Sequence, residues 1–337
     1  MSTPQNNSQE NALIRVENLK VYYPIKGGII NHTTGYTKAV DGVSFSIMEG
    51  EILGLVGESG CGKSTIGRQL VGLERPTEGK IFYEGKDLSL LKKGEIQKIR
   101  TQLQMVFQDP YSSLNPRKHI YEILAQPMLY HGIATRETVE KDMVRILDMV
   151  GLSRNVLGRY PHEFSGGQRQ RIGIARALSL NPRFIVCDEP VSALDVSIQA
   201  QILNLLKQLQ QDLGLTYMFI THDLSVVNYF SDEIMVMYLG KVVEHAPSEK
   251  LFEHPTHPYT KALLKSIPIL GKGANQDINP IKGSTPDPYK RPPGCQFEPR
   301  CDYACEECKK AMPDEHMLGG THMVRCTRYQ EVMKDGK

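Results

Sequence analysis

The sequence predicts an α/β fold, in which buried strands alternate with helices, followed by a small extension rich in cysteine. Short apolar runs that end in polar residues alternate with segments whose apolar residues recur every three or four positions. One such run, within residues 51–65, passes through a glycine-rich loop into a helix. Five of the seven cysteines lie between Cys295 and Cys326, after the last strand of this pattern. We therefore expect an α/β core and a C-terminal extension that carries a cysteine cluster.

The apolar patterns define the elements of the core in order. Val139 to Val150 has apolar residues at helical spacing, and Gly151 is a typical residue to end that helix. The other elements are predicted at the following positions: strands at 13–23, 38–47, 79–85, 104–110, 183–190 and 215–221, helices at 92–102 and 198–213, and a hairpin at 233–244.

The domain boundaries follow from changes in this pattern. From about Tyr111 to Tyr160 the sequence becomes helical, which predicts a helical subdomain inserted at about 109–164. From about Pro247 prolines and glycines become frequent. We therefore expect a core domain over residues 1–246 and an extension over 247–337.

Composition and charge exclude several classes of protein. The 337 residues include 40 basic and 38 acidic residues, and this near balance gives no support for nucleic-acid binding. No apolar run reaches the length of about 18 residues that predicts a membrane span. The polar N-terminus lacks the features of a secretory signal, so we expect a cytoplasmic protein. In a reducing compartment, clustered cysteines favour a metal or a cluster over disulfides.

The glycine-rich loop is predicted to bind phosphate. Gly57, Gly62, Lys63 and Ser64 match the pattern G-x-x-x-x-G-K-[ST] between a strand and a helix. Glycines let backbone N–H groups surround the phosphates, and the helix N-terminus adds partial positive charge. The lysine reaches the terminal phosphates, and the serine hydroxyl is a ligand for Mg²⁺. The predicted nucleotide-binding residues of this loop are Ser59, Gly60, Cys61, Gly62, Lys63, Ser64 and Thr65.

A second segment has the features of an anion site. Ser165 is a natural N-cap for the helix that follows, and Gly166 and Gly167 expose the first amides of that helix. The alternative is an ordinary capped helix with arginines on its solvent-exposed face. Because the chain already carries a phosphate loop, we favour the anion site over the ordinary capped helix.

Polar side chains follow three of the predicted strands. Asp188 is placed to hold Mg²⁺, directly or through water, and Glu189 to polarise an attacking water. Gln108 and His222 also follow strands, and ligands bind at the carboxyl ends of strands in open α/β sheets. Each residue alone has a plain structural explanation. Together with Lys63, they predict a site for nucleotide hydrolysis.

The order of these motifs resembles the ATPase subunits of ABC transporters, and the match covers nearly the whole chain. The resemblance implies an ABC ATPase core with a RecA-like mixed sheet, an antiparallel β subdomain and an inserted helical subdomain. It also implies that ATP and Mg²⁺ are bound. The matching positions are the phosphate loop, Gln108, Ser165–Gln168, Asp188, Glu189, Ser192–Asp195 and His222.

The resemblance implies roles on the nucleotide of the same chain. Tyr23 matches the aromatic residue that stacks on adenine, with Tyr22 as its rival. Gln108 matches the glutamine that contacts Mg²⁺ and water and links to the membrane partner. His222 matches the histidine that orients the γ-phosphate. The catalytic set implied in this way is Lys63, Gln108, Glu189 and His222, and the Mg²⁺ set is Ser64, Gln108 and Asp188.

The resemblance implies a further set that serves the opposite subunit. Ser165, Gly166, Gly167 and Gln168 match the signature motif, which contacts the γ-phosphate of a nucleotide held by the other subunit. Asp195 matches the loop that follows the catalytic carboxylates. The working unit implied is a pair of ATPase subunits, formed by this chain with a related chain or by two copies of it.

A finer resemblance is to the bacterial dipeptide and oligopeptide importers, a group that also includes nickel importers. Residues 35–45, 257–260 and 292–301 are similar to that group. Its extensions hold cysteines implicated in a 4Fe–4S cluster.

The family spacing of that cluster falls on four cysteines of this chain. They are Cys295, Cys301, Cys308 and Cys326. Because Cys305 is a fifth cysteine in this segment, the choice of the four ligands stays open. Four thiolates also suit zinc.

The expected function is therefore the ATP-hydrolysing motor of a membrane importer, most simply one for di- or oligopeptides. Its implied partners are a second ATPase subunit, two permease subunits and an extracytoplasmic peptide-binding protein, with no nucleic acid. Its implied location is the cytoplasmic face of the membrane, through the permeases. The alternatives are a nickel importer, a soluble ABC ATPase of translation or DNA repair, and an iron–sulfur redox protein that the ATPase regulates. Tandem domains, long coiled coils and flavin or nicotinamide motifs would favour the last two, and the sequence has none of them.

Overall fold

The structure, a computed structural model, describes residues 11–27, 32–266 and 281–335 except 285, 288 and 290. Its strands form two sheets, one with four strands and one with eight. Two buried apolar clusters lie against them. Within these described ranges, no helix is both long and apolar enough to cross a bilayer.

The four-stranded sheet is antiparallel and has the order β2-β1-β4-β5. Its strands are β1 (Ile14–Gly27), β2 (His32–Ile47), β4 (Glu78–Tyr83) and β5 (Lys86–Asp87). The two long strands extend beyond the predicted 13–23 and 38–47 into the segment that was expected to be a connection. They pair as far as Gly27 and His32 because their backbone groups continue to satisfy one another past the apolar region.

The eight-stranded sheet has the order β11-β12-β10-β9-β3-β8-β7-β6. The strands β3, β6, β7, β8 and β9 run parallel, whereas β10, β11 and β12 pair antiparallel. Every residue of β3, β7 and β8 is buried, as expected for parallel strands covered on both faces. The bounds are β3 (Ile52–Val56), β6 (Leu103–Val106), β7 (Phe184–Asp188), β8 (Thr216–Thr221), β9 (Glu233–Tyr238), β10 (Lys241–Pro247), β11 (His316–Gly319) and β12 (His322–Val324).

The helices cover the sheets and form the inserted helical region. Predicted helices at 92–102, 139–150 and 198–213 are present within two residues of those bounds. The α-helices are α1 (Lys63–Leu70), α2 (Lys93–Gln102), α3 (Pro110–Ser113), α4 (Ile120–Tyr130), α5 (Val139–Met149), α6 (Gly166–Leu178), α7 (Val196–Leu213), α8 (Leu224–Phe230), α9 (Ser248–Glu253), α10 (Pro258–Lys265), α11 (Glu306–Lys310) and α12 (Tyr329–Lys334). Short 3₁₀ helices lie at Leu88–Leu90, Arg154–Val156, Pro161–Glu163 and Glu298–Arg300.

The C-terminal extension adds two strands to the core sheet. β12 pairs with β10 through Glu244 and His245, and β11 pairs with β12. Glu244 is fully buried at this junction, and its carboxylate accepts hydrogen bonds from Thr256 N at 2.7 Å and His257 N at 2.9 Å. His322 Nε2 lies 3.2 Å from the same carboxylate. The extension is therefore joined to the core by backbone pairing and by a buried polar network.

The parallel strands bring their carboxyl ends to one edge of the sheet. The register pairs Val56 with Thr221, Asp188 with Ile220, and Val106 with Cys187. The loops that follow β3, β6, β7 and β8 therefore leave the sheet side by side. These loops carry the phosphate-loop pattern and the polar residues singled out in the sequence.

Candidate active site

The phosphate loop follows β3 and packs closely against the backbone of two neighbouring strands. Gly57 has φ 155°, and a Cβ there would lie 2.2 Å from the carbonyl oxygen of Met237. Gly62 has φ 107°, and its Cβ would lie 2.1 Å from the carbonyl oxygen of Ala39. Only glycine fits both the conformation and the space at these positions. The two glycines of the sequence pattern thus fix the path of the loop into α1.

Lys63 begins α1 and is 5% exposed. Its Nζ donates to the carbonyl oxygens of Gly57 at 2.7 Å and Glu58 at 3.1 Å. The ammonium group is therefore held inside the curve of the loop by backbone acceptors. An ammonium group placed there meets any anion that the loop encloses.

Ser64, in the first turn of α1, and Asp188, at the end of β7, bring a hydroxyl and a carboxylate together. Ser64 Oγ donates to Asp188 Oδ1 at 2.8 Å. Burial raises the pKa of Asp188 above its ordinary value, although the hydrogen bond from Ser64 opposes that rise. A hydroxyl and a carboxylate at this distance have the donor chemistry that Mg²⁺ prefers. The structure thus brings these two predicted ligands together.

Glu189 lies at the centre of the predicted catalytic residues. Its Oε2 accepts a hydrogen bond from Gln108 Nε2 at 2.9 Å and lies 3.4 Å from His222 Nδ1. The Glu189 side chain is 15% exposed, whereas that of His222 is 58% exposed. Glu189 also has φ 45°, which is strained for a residue with a side chain and is found most often at functional sites. Three loops that are far apart in sequence therefore converge on one carboxylate.

The segment predicted as the second anion site caps α6. Ser165 Oγ accepts from Gln168 N at 3.3 Å, and Gln168 Oε1 accepts from Ser165 N at 3.1 Å, which forms a capping box. A Cβ on Gly167 would lie 2.6 Å from Ile198 Cγ2, so the glycine permits close packing on α7. Ser165 and Gln168 are exposed, and so is Asp195, which occupies the N-cap position of α7. These residues present an exposed helix N-terminus, and the contacts described here lie within α6 and with α7.

The two candidate aromatic residues for adenine differ in exposure. Tyr23 is 41% exposed, and its hydroxyl donates to Glu74 at 2.6 Å. Tyr22 is half-buried, and its hydroxyl donates to Asp41 at 2.5 Å. Burial and that hydrogen bond raise the pKa of Tyr22 well above its ordinary value. Tyr23 therefore has the more accessible ring.

The cysteines of the extension lie near one another, but they are not arranged as a metal site. In the part of the chain that the structure describes, no group of three or more His, Cys, Asp or Glu residues is placed to hold a metal ion. Burial, together with the neighbouring Cys301, Cys295 and Cys308 thiols, raises the pKa of Cys326 to about 12. Cys305 Sγ lies 3.4 Å from Cys308 Sγ. The expected iron–sulfur site is thus not supported by the geometry, although the thiols share one region.

One contact at the phosphate loop has no signal in the sequence. Glu58 is the second residue of the loop, and its carboxylate pairs with Arg300 of the extension at 2.8 Å. Its backbone N–H donates to the hydroxyl of Tyr259 at 2.9 Å. No motif links these residues, which are about two hundred positions apart or more, so only the folded chain reveals the contact.

Comparisons with known families agree with this geometry. The family described as ABC transporter matches residues 40–192, which include the phosphate loop and both carboxylates that follow β7. The family described as oligopeptide/dipeptide transporter, C-terminal region, matches residues 243–308. The second match covers the start of the extension and four of its five clustered cysteines.

The chain is similar to curated proteins over nearly its full length. It is 48% identical to the oligopeptide transport ATP-binding protein AppF of Bacillus subtilis, over 96% of this chain and 99% of that protein. It is 48% identical to the oligopeptide transport ATP-binding protein OppF of Salmonella typhimurium, over 95% of this chain and 97% of that protein. It is 46% identical to the dipeptide transport ATP-binding protein DppF of Escherichia coli, over 97% of each.

Solved structures share the core fold. The chain has a TM-score of 0.62 and 28% identity to cbiO1 of Clostridium perfringens, over 72% of this chain and 91% of that one. It has a TM-score of 0.61 and 31% identity to the ATP-binding cassette MJ0796, over 70% of this chain and 98% of that one. Since relatives at 46–48% identity cover nearly all of the chain, the chain belongs to the ABC transporter family of ATPases and is an ATP-binding subunit of the oligopeptide/dipeptide transport type.

Proposed function

We propose that this chain hydrolyses ATP at the carboxyl ends of β3, β7 and β8 and so drives import of di- or oligopeptides through separate permease subunits. The observation that carries this proposal is the contact of Glu189 with both Gln108 and His222, next in sequence to the Asp188 that meets Ser64. A carboxylate in that position accepts a proton from an attacking water.

The phosphate loop supplies the binding part of this mechanism. Lys63 already points into the loop, and the γ-phosphate of ATP competes with the carbonyl oxygens of Gly57 and Glu58 for its ammonium group. The wider set of nucleotide contacts that we propose is Tyr23 on the adenine, the loop residues Ser59, Gly60, Cys61, Gly62, Ser64 and Thr65 on the phosphates, and His222 on the γ-phosphate.

Mg²⁺ fits the donor set beside this loop. Ser64, Asp188 and Gln108 offer a hydroxyl, a carboxylate and an amide oxygen, all of which suit a hard cation. When bound, Mg²⁺ neutralises charge that develops on the phosphates. Ser64, Asp188 and Gln108 are the residues of the chain that would hold it.

A second ATPase chain completes the site in this proposal. At the N-terminus of α6, Ser165 and Gln168 are exposed and Gly166 and Gly167 are half-buried; Asp195 is exposed at the N-cap of α7. Exposed backbone donors of this kind bind the γ-phosphate of a nucleotide held by another chain. The cassette MJ0796, which has the same fold, is described as dimeric with ADP and Pi bound.

The transported substrate and the remaining partners follow from the relatives. Oligopeptide and dipeptide transport proteins match the chain over both the core and the extension, which we assign to residues 1–246 and 247–337 with the helical subdomain at about 109–164. We infer two permease subunits, a related ATPase chain and an extracytoplasmic peptide-binding protein as partners, and no nucleic acid. The chain is then placed at the cytoplasmic face of the membrane by its permeases.

The rate of ATP hydrolysis as a function of chain concentration tests the two-chain site. With Mg²⁺ present, the rate of the purified chain is expected to rise more than linearly, because Lys63 and Ser165 serve different nucleotides. Adding the related ATPase chain at constant total concentration should raise the rate if the working pair is mixed. A strictly linear rate over a hundredfold range of concentration would contradict the two-chain site.

A 4Fe–4S cluster held by Cys295, Cys301, Cys308 and Cys326 is proposed for the extension. Its support is the donor chemistry and the proximity of the four thiols: burial, together with neighbouring thiols of this set, raises the pKa of Cys295, Cys301 and Cys326. The geometry of the described residues does not support the cluster. Binding of the cluster therefore requires the four thiols to come closer to one another.

Metal analysis tests this cluster directly. Iron, sulfide and zinc are measured on protein purified without air and on single Cys→Ser variants. We expect loss of iron and sulfide at each of the four positions and retention in Cys305→Ser. Zinc in place of iron and sulfide, or loss only in Cys305→Ser, would contradict the proposed cluster.

A further inference from the structure

The phosphate loop is held by two residues from the C-terminal extension. Arg300 Nη1 donates to Glu58 Oε2 at 2.8 Å, and Arg300 Nη2 donates to Glu58 Oε1 at 2.9 Å. Two parallel bonds between a guanidinium and a carboxylate fix both partners in one plane. Tyr259, on α10, accepts from the backbone N–H of Glu58 at 2.9 Å. Both the side chain and the backbone of Glu58 are therefore bound by the extension.

The Arg300 side chain is buried and makes several hydrogen bonds. It is 6% exposed, whereas the side chain of Glu58 is 24% exposed. Its Nε donates to the carbonyl oxygen of Lys282 at 3.0 Å, and its Nη1 also donates to the hydroxyl of Tyr238 at 3.3 Å. Tyr238 and Tyr259 pack together with ring centroids 4.7 Å apart. A buried guanidinium with this many partners has a single position, so the residue that it binds is held in place as well.

Because Glu58 lies in the phosphate loop, its contact with Arg300 affects the binding of ATP. The carbonyl oxygen of Glu58 accepts from Lys63 Nζ at 3.1 Å, so the same residue contacts both the extension and the phosphate-binding lysine. The Glu58 side chain also places a negative charge on a loop that receives the phosphates. Without a cation beside it, that charge repels the phosphates of ATP. Arg300 supplies the cation.

We propose that Arg300 is a positioning residue for ATP binding, through which the C-terminal extension sets the conformation and the charge of the phosphate loop. The proposal rests on the proposed ATP site. Arg300 acts through Glu58, by holding the loop around Lys63 and by neutralising the carboxylate. The extension thereby becomes part of the nucleotide site of its own chain.

The test measures the affinity for ATP of the full chain and of four variants, in excess EDTA, where no turnover occurs. Arg300→Gln is expected to weaken ATP binding by about 5- to 20-fold, in the range typical of coupling between two sites. The double variant Glu58→Gln with Arg300→Gln should recover at least half of that loss on a logarithmic scale, because the carboxylate that Arg300 neutralises is removed as well. Lys309→Gln, in an exposed ion pair of the extension, is the matched control and should bind ATP as the wild type does.

The outcomes separate this proposal from the ATP site itself. If Lys63→Ala weakens ATP binding but Arg300→Gln stays within twofold of the wild type, the role of Arg300 is wrong and the site stands. If Lys63→Ala has no effect, the site itself is wrong. Equal loss in the double variant and in Arg300→Gln would overturn the charge effect. If Arg300→Gln does not fold, Arg300→Lys replaces it, since it keeps the charge but loses the two-bond geometry. Unchanged affinity in Arg300→Lys would overturn the positioning of the loop by that geometry.

Discussion

Glu189 and Glu244 are two carboxylates of one sheet whose surroundings differ in kind. Glu189 follows β7, lies in a strained backbone conformation, and meets Gln108 at 2.9 Å and the exposed His222 at 3.4 Å. Glu244 lies within β10, is fully buried, and has both oxygens bound by donors of Thr256 and His257 and by the His322 ring.

In our proposal, the difference separates a site that receives a ligand from one that holds the fold together. At Glu244 the donors and acceptors are matched inside the protein, as burial of a charge requires. At Glu189 the partners are loops at the edge of the sheet, and one of them is open to solvent. A cluster of polar residues alone therefore does not indicate catalysis; its position at the strand ends and its exposure do.

The largest expected effect is on the rate of ATP hydrolysis, which should depend on Glu189 and not on Glu244. Glu189→Gln removes the proton acceptor but keeps the shape of the side chain, so kcat for ATP should fall by about 10²- to 10⁴-fold. ATP affinity should remain, since Lys63 and the loop are unchanged. Steady-state hydrolysis and ATP binding are measured on the same sample, with Glu244→Gln as control at equal folded fraction. Full hydrolysis by Glu189→Gln would remove Glu189 from the mechanism.

The second effect concerns stability. Glu244→Gln replaces one carboxylate oxygen with an N–H₂ donor, which then faces the hydrogen-bond donors of Thr256 and His257. The free energy of unfolding should therefore fall by about 2–4 kcal/mol. Urea unfolding measures this loss. The control is Glu315→Gln, whose half-exposed carboxylate pairs with Arg325 and whose loss should cost less than about 1 kcal/mol. Equal losses in the two variants would mean that the buried network does not stabilise the junction.

The third effect is a pH dependence of the stability of the same junction. Burial lowers the pKa of His245 and of His257 to about 4, from an ordinary value of 6.5. Between those values the unfolded chain binds protons that the folded chain does not, so stability rises with pH from 4 to 6.5 and is lost as pH falls. The loss should approach about 3 kcal/mol per histidine near pH 4.

A substitution isolates one of these histidines. His257→Asn keeps an N-cap for α10, since asparagine accepts the bond that His257 Nδ1 now accepts from Tyr259 N. It should reduce the slope of the unfolding free energy with pH between pH 6.5 and 4 by about half, since His245 keeps its share. The exposed His254→Asn is the control and should leave the slope unchanged. An unchanged slope in His257→Asn would contradict a neutral, buried His257.

The sequence predicts the catalytic region better than the extension, for a physical reason. The phosphate loop and the residues after β7 depend on local chain geometry and on one parallel sheet, so short motifs fix their positions. The strands β11 and β12 join the sheet through pairing with β10, and their short segments carry no periodic pattern. The pairing of Arg300 with Glu58 depends on tertiary packing and has no local signal. The cysteine spacing was visible, but spacing alone does not bring thiols into metal-binding geometry.

Thermal unfolding with and without MgATP tests the central claim most directly, because a ligand that binds the native chain raises its midpoint. For wild type at about 100 times the dissociation constant, the gain is about 2.7 kcal/mol, or several degrees in Tm. Lys63→Ala at the same ATP concentration should show no such shift, since its loop lacks the ammonium group that meets the phosphates. A rise in Tm of equal size in both chains would contradict the assignment of the ATP site to this loop.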